Sequence, residues 1–152
     1  MVLSVQKEDI DVGALIAASR THADGAQLVF IGCVRDDGMD ELEIEAFVPV
    51  AEKDLADIAA EAKEQFHLNS VDIVHRYGRL ALGEMIVVII VGAGHRPEAY
   101  EGSRYIIERL KERCRSGNRR FQTAKKVDGG TVHEGSAEVR PRCGLSACPG
   151  SV

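Results

Sequence analysis

The chain has 152 residues, of which 45% are hydrophobic and 28% are charged, with 15 glycines and only 4 prolines. At roughly 100 to 200 residues per domain, this length predicts one folded domain, and the composition excludes collagen-like, fibrous and disordered chains. The net charge is -5 at pH 7, and a negative total argues against a protein that coats nucleic acid.

Hydrophobic spacing and turn residues predict helices alternating with short strands. The predicted elements, in chain order, are a helix over 10–19, strands over 27–34 and 41–47, a helix over 51–66, strands over 71–77 and 85–92, a helix over 97–114, and a hairpin whose strands, 119–127 and 131–139, flank Asp128-Gly129-Gly130. Strand 27–34 is expected to be buried and to pair antiparallel with strand 41–47, and the apolar strand 85–92 is expected to be central. Together they predict an α+β fold with helices against a mainly antiparallel sheet, in one domain over residues 1–140, followed by a flexible tail over 141–152.

The two long helices are predicted from the same spacing. Apolar or small residues recur at offsets of 0, 4, 7, 8, 11 and 15, starting from Ala51 in one helix and from Ala99 in the other. This spacing places one apolar stripe along each helix.

The cysteines and the N-terminus bear on the compartment. There are four cysteines and no CxxC pair among Cys33, Cys114, Cys143 and Cys148, so neither a disulfide framework nor a zinc site is predicted. For the segment with Cys143 and Cys148, a frayed tail is favoured over a metal site. The longest apolar run, 85–91, is too short to cross a bilayer, and residues 7–9 are charged where a signal peptide would be apolar. A cytoplasmic protein without a membrane segment is therefore expected.

Positive charge is concentrated in one segment. Residues 104–126 contain nine basic and two acidic side chains, in contrast to the negative total of the chain. Such a cluster is either a solvated basic face or a pocket for an anionic ligand or an acidic partner.

Three candidate site residues stand at the ends of predicted strands. His95 and Arg96 follow Gly92-Ala-Gly94 at the start of the last long helix, where free N–H groups and the helix dipole favour an anion such as phosphate. Alternatively, the glycines only form a tight turn and Arg96 pairs with a surface carboxylate. Arg35 follows another predicted strand beside a glycine-containing turn, where functional side chains often emerge.

Lys111 is a fourth candidate, because it lies one turn beyond Ile107 and borders the apolar stripe. An ordinary lysine, with a pKa of about 10.4, is neutral in only about one of 2,500 molecules at pH 7, so work as a nucleophile or a base needs cationic neighbours. The alternative is a lysine whose stem covers the edge of the core while its amine lies in water.

No other catalytic pattern is present in the sequence. The five histidines have no HExxH spacing, no GxSxG or P-loop motif occurs, and the glycines before His95 lack the third glycine of a dinucleotide fingerprint. His75, inside a predicted strand, is interpreted as a structural residue. Without Trp, a surface that stacks nucleic-acid bases is not supported, and no cofactor is predicted.

Several short motifs occur in an order that resembles a known family. They are Gly25-Ala26, Gly32-Cys-Val-Arg35-Asp36, Leu42-Glu-Ile-Glu45-Ala-Phe47, Ala51-Glu-Lys53, Val74-His75-Arg76-Tyr-Gly78-Arg-Leu80, Gly83-Glu84, His95-Arg96-Pro-Glu-Ala-Tyr100-Glu101 and Leu110-Lys111. From about residue 10 to 113, this order resembles the large, catalytic subunit of molybdopterin synthase.

The resemblance implies an α/β-hammerhead fold and a homodimer with a small ubiquitin-like sulfur carrier at each end. The carrier would insert its C-terminal Gly-Gly thiocarboxylate, and its sulfur would convert cyclic pyranopterin monophosphate to molybdopterin. By matching position, Arg35, His95 and Arg96 would hold the phosphate and pterin of the substrate. Lys111 would be one of two essential lysines.

The segment after Lys111 departs from the family pattern. Residues 114–127 are longer than the family's segment and lack its Pro and Trp. Lys125 is the preferred second catalytic lysine because it precedes the hairpin turn as the family's lysine does, while Lys126, on the other face of the strand, is assigned to substrate binding. Arg119 and Arg120 are further alternatives. The departure also keeps a second function open, a non-catalytic dimeric module that binds an anionic metabolite or a ubiquitin-like tail.

Overall fold

The computed structural model describes residues 1–36, 38, 41–115 and 121–125. Its elements are β1 (Leu3–Gln6), α1 (Val12–Ser19), β2 (Ala26–Cys33), β3 (Glu41–Ala46), α2 (Val48–Phe66), β4 (Leu68–Arg76), β5 (Gly78–Ala81), β6 (Met85–Ala93), α3 (Arg96–Arg115) and β7 (Phe121–Lys125). The strands form a larger sheet in the order β1-β4-β6-β2 and a smaller sheet in the order β5-β3-β7. Within the described residues only β1 and β4 pair in parallel, which confirms an α+β fold with mainly antiparallel sheets.

Strand β6 lies between β4 and β2 at the centre of the larger sheet, as its apolar sequence predicts. Val87, Ile89 and Val91 belong to the main core with α2 and α3, whereas Val88 and Ile90 belong to a smaller core with α1. All five are buried, and burial of such side chains contributes roughly 1.5 to 3 kcal/mol each. Apolar cover on both faces of the sheet accounts for the unbroken run of β-branched residues.

The apolar stripes of the two long helices are confirmed. Their buried members are Ala51, Leu55, Ile58, Ala59 and Ala62 on α2 and Ala99, Ser103, Ile106 and Leu110 on α3. Helix α2 begins three residues earlier than predicted, at Val48. Pro49 is compatible with this start because the first turn of a helix needs no N–H hydrogen bond and the proline ring fixes a helical φ.

The predicted pairing of strands 27–34 and 41–47 is wrong. Strand β2 pairs with β6, from Ala26 opposite Ala93 to Cys33 opposite Met85, whereas β3 pairs with β5 and β7 in the smaller sheet. The composition of β2 predicts a buried strand, but β2 is only half-buried. The reason is that it lies at an edge of the described sheet. Apolar residues on both faces suit β2 to the covered sheet, while the acidic and apolar alternation of β3 needs a sheet with one exposed face.

Two short strands are not evident in the sequence. Strands β1 and β5 have four residues each, too few to show a period, and they are defined by pairing with β4 and β3. Strand β7 supplies the first strand of the predicted C-terminal hairpin, and its second strand, 131–139, lies outside the described residues, as does the tail over 141–152. No helix of the described residues is long and apolar enough to cross a membrane.

His75 is the buried structural histidine that the sequence predicts. It is 7% exposed on β4, and its Nδ1–H donates a 2.8 Å hydrogen bond to the backbone carbonyl of Arg76. Burial disfavours the imidazolium and lowers the pKa of His75 to about 4, although the bond to Arg76 acts in the opposite direction. The folded protein therefore holds this imidazole neutral at physiological pH.

The His75 imidazole makes stability depend on pH. Below a pH of about 6.5 the His75 imidazole of the unfolded chain is protonated, whereas that of the folded chain stays neutral until about pH 4. We therefore expect the free energy of unfolding to fall by about 3 kcal/mol as the pH is lowered through this window. His75→Asn, whose amide can replace the Nδ1 donor but does not titrate, should flatten this part of the pH profile in urea unfolding. His22→Asn, at an exposed position, should keep the wild-type slope. An unchanged slope in His75→Asn would contradict this assignment.

Candidate active site

His95 and Arg96 lie at one end of β6, where the chain turns directly into α3. Only Gly94 and His95 separate the strand from the helix, which begins at Arg96 with Pro97 in its first turn. Both candidate side chains are exposed, and within the described residues Arg96 forms no ion pair. The alternative in which Arg96 pairs with a surface carboxylate therefore loses support. The arrangement is suited to an anionic ligand, because the N–H groups of the first helical turn have no intrahelical acceptors.

Arg35 lies at the opposite end of the same pair of strands. Strand β2 runs antiparallel to β6, so Arg35 follows β2 beside Met85, the first residue of β6. The backbone of Val34 fixes this end through hydrogen bonds to Glu84 O (2.9 Å) and from Gly83 N (2.8 Å). Met85 and Ala93 are eight positions apart on β6, a distance of about 26 Å at 3.3 Å per residue. One chain therefore does not bring Arg35 close to His95.

Lys111 lies on the same helix as Arg96 but near its other end. Helix α3 packs on β6 and β2, and because its link to β6 is so short, it runs back along the strand. Fifteen residues separate Arg96 from Lys111, or about 22 Å along the helix axis. Lys111 is exposed and forms no ion pair within the described residues. The helix therefore carries Lys111 away from His95 and towards the end of the sheet where Arg35 lies.

The register of the smaller sheet places position 125 at the Arg35 end. Lys125 is paired with Leu42, and the neighbouring residue Glu41 is paired with Ala81 on the other side of β3. The N–H of Ala81 donates to Glu84 Oε2 at 2.7 Å, and Glu84 O accepts from Val34. A series of contacts through Glu41, Ala81 and Glu84 thus links the strand that pairs with position 125 to Val34, the residue before Arg35. Lys126, Arg119 and Arg120 lie outside the described residues.

The basic segment of α3 is partly neutralised by α2. Arg113 Nη1 lies 2.8 Å from the buried carboxylate of Asp54, and Arg109 pairs with Glu61 (3.4 Å) and with Glu112 (2.8 Å). The bond to Glu112, followed by the charge of Glu61, raises the pKa of Arg109 despite some desolvation. Arg113 thereby compensates the buried charge of Asp54, which would be costly without a partner, whereas the more exposed pair of Arg109 and Glu61 contributes little to stability.

Beyond Arg96 at its start, the cationic side chains of α3 that are exposed and form no ion pair in the described part of the chain are Arg104 and Lys111. Part of the positive surplus predicted for residues 104–126 is therefore structural. The rest is available to a ligand or a partner at the surface of the helix.

Some residues of the ordered motifs have a structural role. Arg76 is buried, and its guanidinium donates to the carbonyl oxygens of Lys7 (3.2 Å) and Met85 (3.3 Å) and pairs with Asp9 (3.2 Å). It thereby ties the segment after β1 to β4 and β6. Leu80 is buried in the main core. These residues maintain the sheets, so the exposed members of the motifs are the remaining candidates for the chemistry.

Two residues near His95 are not identified by the sequence analysis. Asp24 and Asn69 form a hydrogen bond of 2.9 Å beside the end of β6. The only sequence signal for Asp24 is its place in a polar turn after α1, which is weak, and the irregular pairing at Asn69 leaves no sequence signal. Within the described residues, no group of three or more His, Cys, Asp and Glu side chains is arranged to hold a metal ion.

The fold and the exposed cations define a class of protein: an α+β protein with exposed cationic side chains near the two ends of one helix. A family model described as "MoaE protein" matches residues 5–113, so the chain belongs to the MoaE family. This confirms the resemblance that the ordered motifs predict.

Individual relatives agree with the family. The molybdopterin synthase catalytic subunit of Mesorhizobium japonicum is 37% identical over 114 residues, which cover 72% of each chain. The crystal structure of molybdopterin synthase from Staphylococcus aureus superposes with a TM-score of 0.75 at 31% identity, covering 86% of this chain and 97% of that one. A complex of subunits 1 and 2 of the molybdopterin-converting factor from Helicobacter pylori, 21% identical with a TM-score of 0.65 over 82% of this chain and 84% of that one, shares the fold.

Proposed function

We propose that the protein is the large, catalytic subunit of a molybdopterin synthase. It would transfer sulfur from the C-terminal thiocarboxylate of a small ubiquitin-like carrier to cyclic pyranopterin monophosphate, forming the dithiolene of molybdopterin. The observation that carries this proposal is the family match over residues 5–113, which includes all four exposed candidates, Arg35, His95, Arg96 and Lys111. The carrier is a separate partner subunit, and two large subunits with two carriers make a heterotetramer.

The substrate would bind through its anionic and polar groups. Arg96 at the start of α3, together with His95 and the free N–H groups of the first turn, is suited to the phosphate. Arg35 supplies a second cationic group, and Lys126 is assigned to substrate binding from the sequence. Cationic side chains recognise phosphate through charge-assisted hydrogen bonds, about twice as strong as neutral ones.

Lys111 and Lys125 are the proposed catalytic residues. The thiocarboxylate of the carrier is an anion, and a protonated lysine amine can neutralise it and donate a proton to an oxygen that leaves the substrate. Alternatively, once the carrier's sulfur is bonded to the substrate as a thioester, a deprotonated amine attacks the acyl carbon and the C–S bond breaks, which leaves the sulfur on the substrate as a thiolate and an amide that water must then hydrolyse. Both roles need an accessible amine, and the exposure of Lys111 supports this assignment.

One chain alone separates these groups by too large a distance. The anion site at His95 and Arg96 is about 22 Å along α3 from Lys111, more than one small substrate can span. A two-fold dimer solves this problem if the His95 end of one subunit meets the Lys111 and Arg35 end of its mate. We therefore propose that each active site is shared between two subunits and that activity requires the dimer.

The compartment is part of the proposal. The similarity to molybdopterin synthase catalytic subunits supports a protein of the cytoplasm, where the carrier would also be loaded with sulfur.

The function is tested by reconstitution. The purified chain is mixed with a thiocarboxylated carrier and cyclic pyranopterin monophosphate, and formation of the dithiolene product is measured. Product formation would support the catalytic role. A chain that binds the carrier or the substrate but forms no product would instead be the non-catalytic module.

Lys111→Ala should abolish sulfur transfer in this assay, with a loss of at least about 100-fold, because the amine that moves the proton or attacks the carrier is removed. The side chain is exposed, so the melting temperature and the circular dichroism spectrum should not change. Lys53→Ala is the matched control, since Lys53 is an exposed lysine of α2 that pairs only with Asp57 among the described residues. Wild-type turnover by folded Lys111→Ala would refute the assignment.

Lys125→Ala should reduce turnover more than Lys126→Ala does. Consecutive residues of a strand face opposite sides, so only one of the two lysines can face the site near Arg35, and Lys125 is the one assigned to catalysis. The comparison is made on kcat in the reconstituted assay, with the melting temperature as a check on folding. A greater loss in Lys126→Ala would exchange the two roles.

A further inference from the structure

The turn between α1 and β2 is held closed by one carboxylate. Asp24 Oδ2 accepts a hydrogen bond of 2.8 Å from the backbone N–H of Thr21, and Asp24 Oδ1 accepts one of 2.9 Å from the side-chain amide of Asn69. Asn69 also donates to the carbonyl of Ala23 at 3.0 Å. It lies where the pairing of β4 with β6 is irregular, between Leu68 and Ser70. Three hydrogen bonds thus fasten residues 21–24 together and onto the start of β4.

The Asp24 carboxylate is suited to this role because it stays ionised. Partial burial raises its pKa, but hydrogen bonds from the side chain of Asn69 and from the backbone and side chain of Thr21 outweigh the burial and hold the pKa below its ordinary value. Hydrogen bonds to a charged acceptor are stronger than those between neutral groups.

The same turn presses against the link that carries His95. The N–H of Gly25 donates to the carbonyl of Ala93 at 2.9 Å. A Cβ atom at position 25 would collide with the carbonyl oxygen of Gly94, and one at position 92 would lie 2.7 Å from Asp24 Oδ1. The backbone of the turn therefore occupies the space on one side of Gly94, the residue immediately before His95. Any displacement of the turn moves that peptide.

The geometry points to Asp24 as a positioning residue for the anion site at His95 and Arg96. Asp24 holds the 21–25 turn in place, Gly25 sets the Gly94 peptide, and the peptide sets the start of α3. Asp24 acts through the backbone and does not itself touch the substrate. This inference rests on the proposed function, which places the substrate phosphate at His95 and Arg96. Groups that bind a ligand need such support, because small misplacements cost binding energy.

The test compares Asp24→Ala with Asp11→Ala. Asp11 is a matched control because its carboxylate also accepts a backbone N–H three residues away, that of Ala14 at 2.9 Å, but it caps the N-terminus of α1. Both variants should have lower melting temperatures. Only Asp24→Ala should raise KM for cyclic pyranopterin monophosphate, roughly ten-fold with a smaller change in kcat, because the phosphate contacts serve substrate and transition state alike.

A second variant and a second measurement make the test independent of how well one protein folds. Asn69→Ala should raise KM like Asp24→Ala, and the double variant should be no worse than either one, since the two side chains act as a unit. Amide hydrogen exchange of residues 92–96 should be faster in Asp24→Ala than in wild type and unchanged in Asp11→Ala.

The outcomes separate this inference from the proposed function. Wild-type protein that forms no product would overturn the proposed function, and the role of Asp24 in it would fall as well. Wild-type turnover with an unchanged KM in Asp24→Ala, or with an equal rise in Asp11→Ala, would overturn the positioning role alone. Unchanged amide exchange at 92–96 in Asp24→Ala would also overturn it.

Discussion

Strand β6 and the two-residue link that follows it are the constraint on which the rest of the molecule depends. The strand is buried on both faces and pairs with β2 and β4, so its position is fixed from every side. Because the link consists only of Gly94 and His95, α3 can only fold back along the strand that precedes it. The strand and helix lengths then determine that Arg96 and Lys111 lie at opposite ends, about 22 Å apart. The proposal that a second subunit completes the site follows from this distance.

The ordered motifs divide into buried structural residues and exposed residues that are the candidates for the chemistry. His75, Arg76 and Leu80 are buried, and they hold the sheets through packing and hydrogen bonds. Arg35, His95, Arg96 and Lys111 are exposed, where a ligand or a partner subunit can reach them. A polar side chain that is buried needs a partner, whereas one that binds substrate has to stay accessible. Burial therefore separates the two sets within one ordered pattern of motifs.

The sequence predicts those parts of the fold that depend on local periodicity. The stripes from Ala51 and Ala99 define α2 and α3, and the apolar run 85–92 identifies the central strand. Strand pairing is a different matter, because β2 and β3 are neighbours in the chain but belong to different sheets. The strand that each one pairs with depends on which of its faces must be covered. The residues that cover those faces are distant in the sequence.

The candidate site also has parts that the sequence predicts and parts that it does not. Exposed cations beside glycines and at a helix start can be recognised from residue types and order, and so can the family. The support provided by Asp24 and Asn69 cannot, because the two residues are 45 positions apart and are joined only by the folded turn. The proposal of a site shared between two chains, by contrast, already follows from the predicted helix, because Arg96 and Lys111 are 15 positions apart in the sequence, about 22 Å along a helix axis.

The central claim, that two subunits share each active site, is tested by mixing two inactive proteins. Arg96→Ala and Lys111→Ala chains are allowed to exchange subunits, and sulfur transfer is measured on the isolated heterodimer. A shared site predicts that each heterodimer recovers one intact site of two, close to half of the wild-type activity. A confirmed heterodimer with no activity would contradict the account.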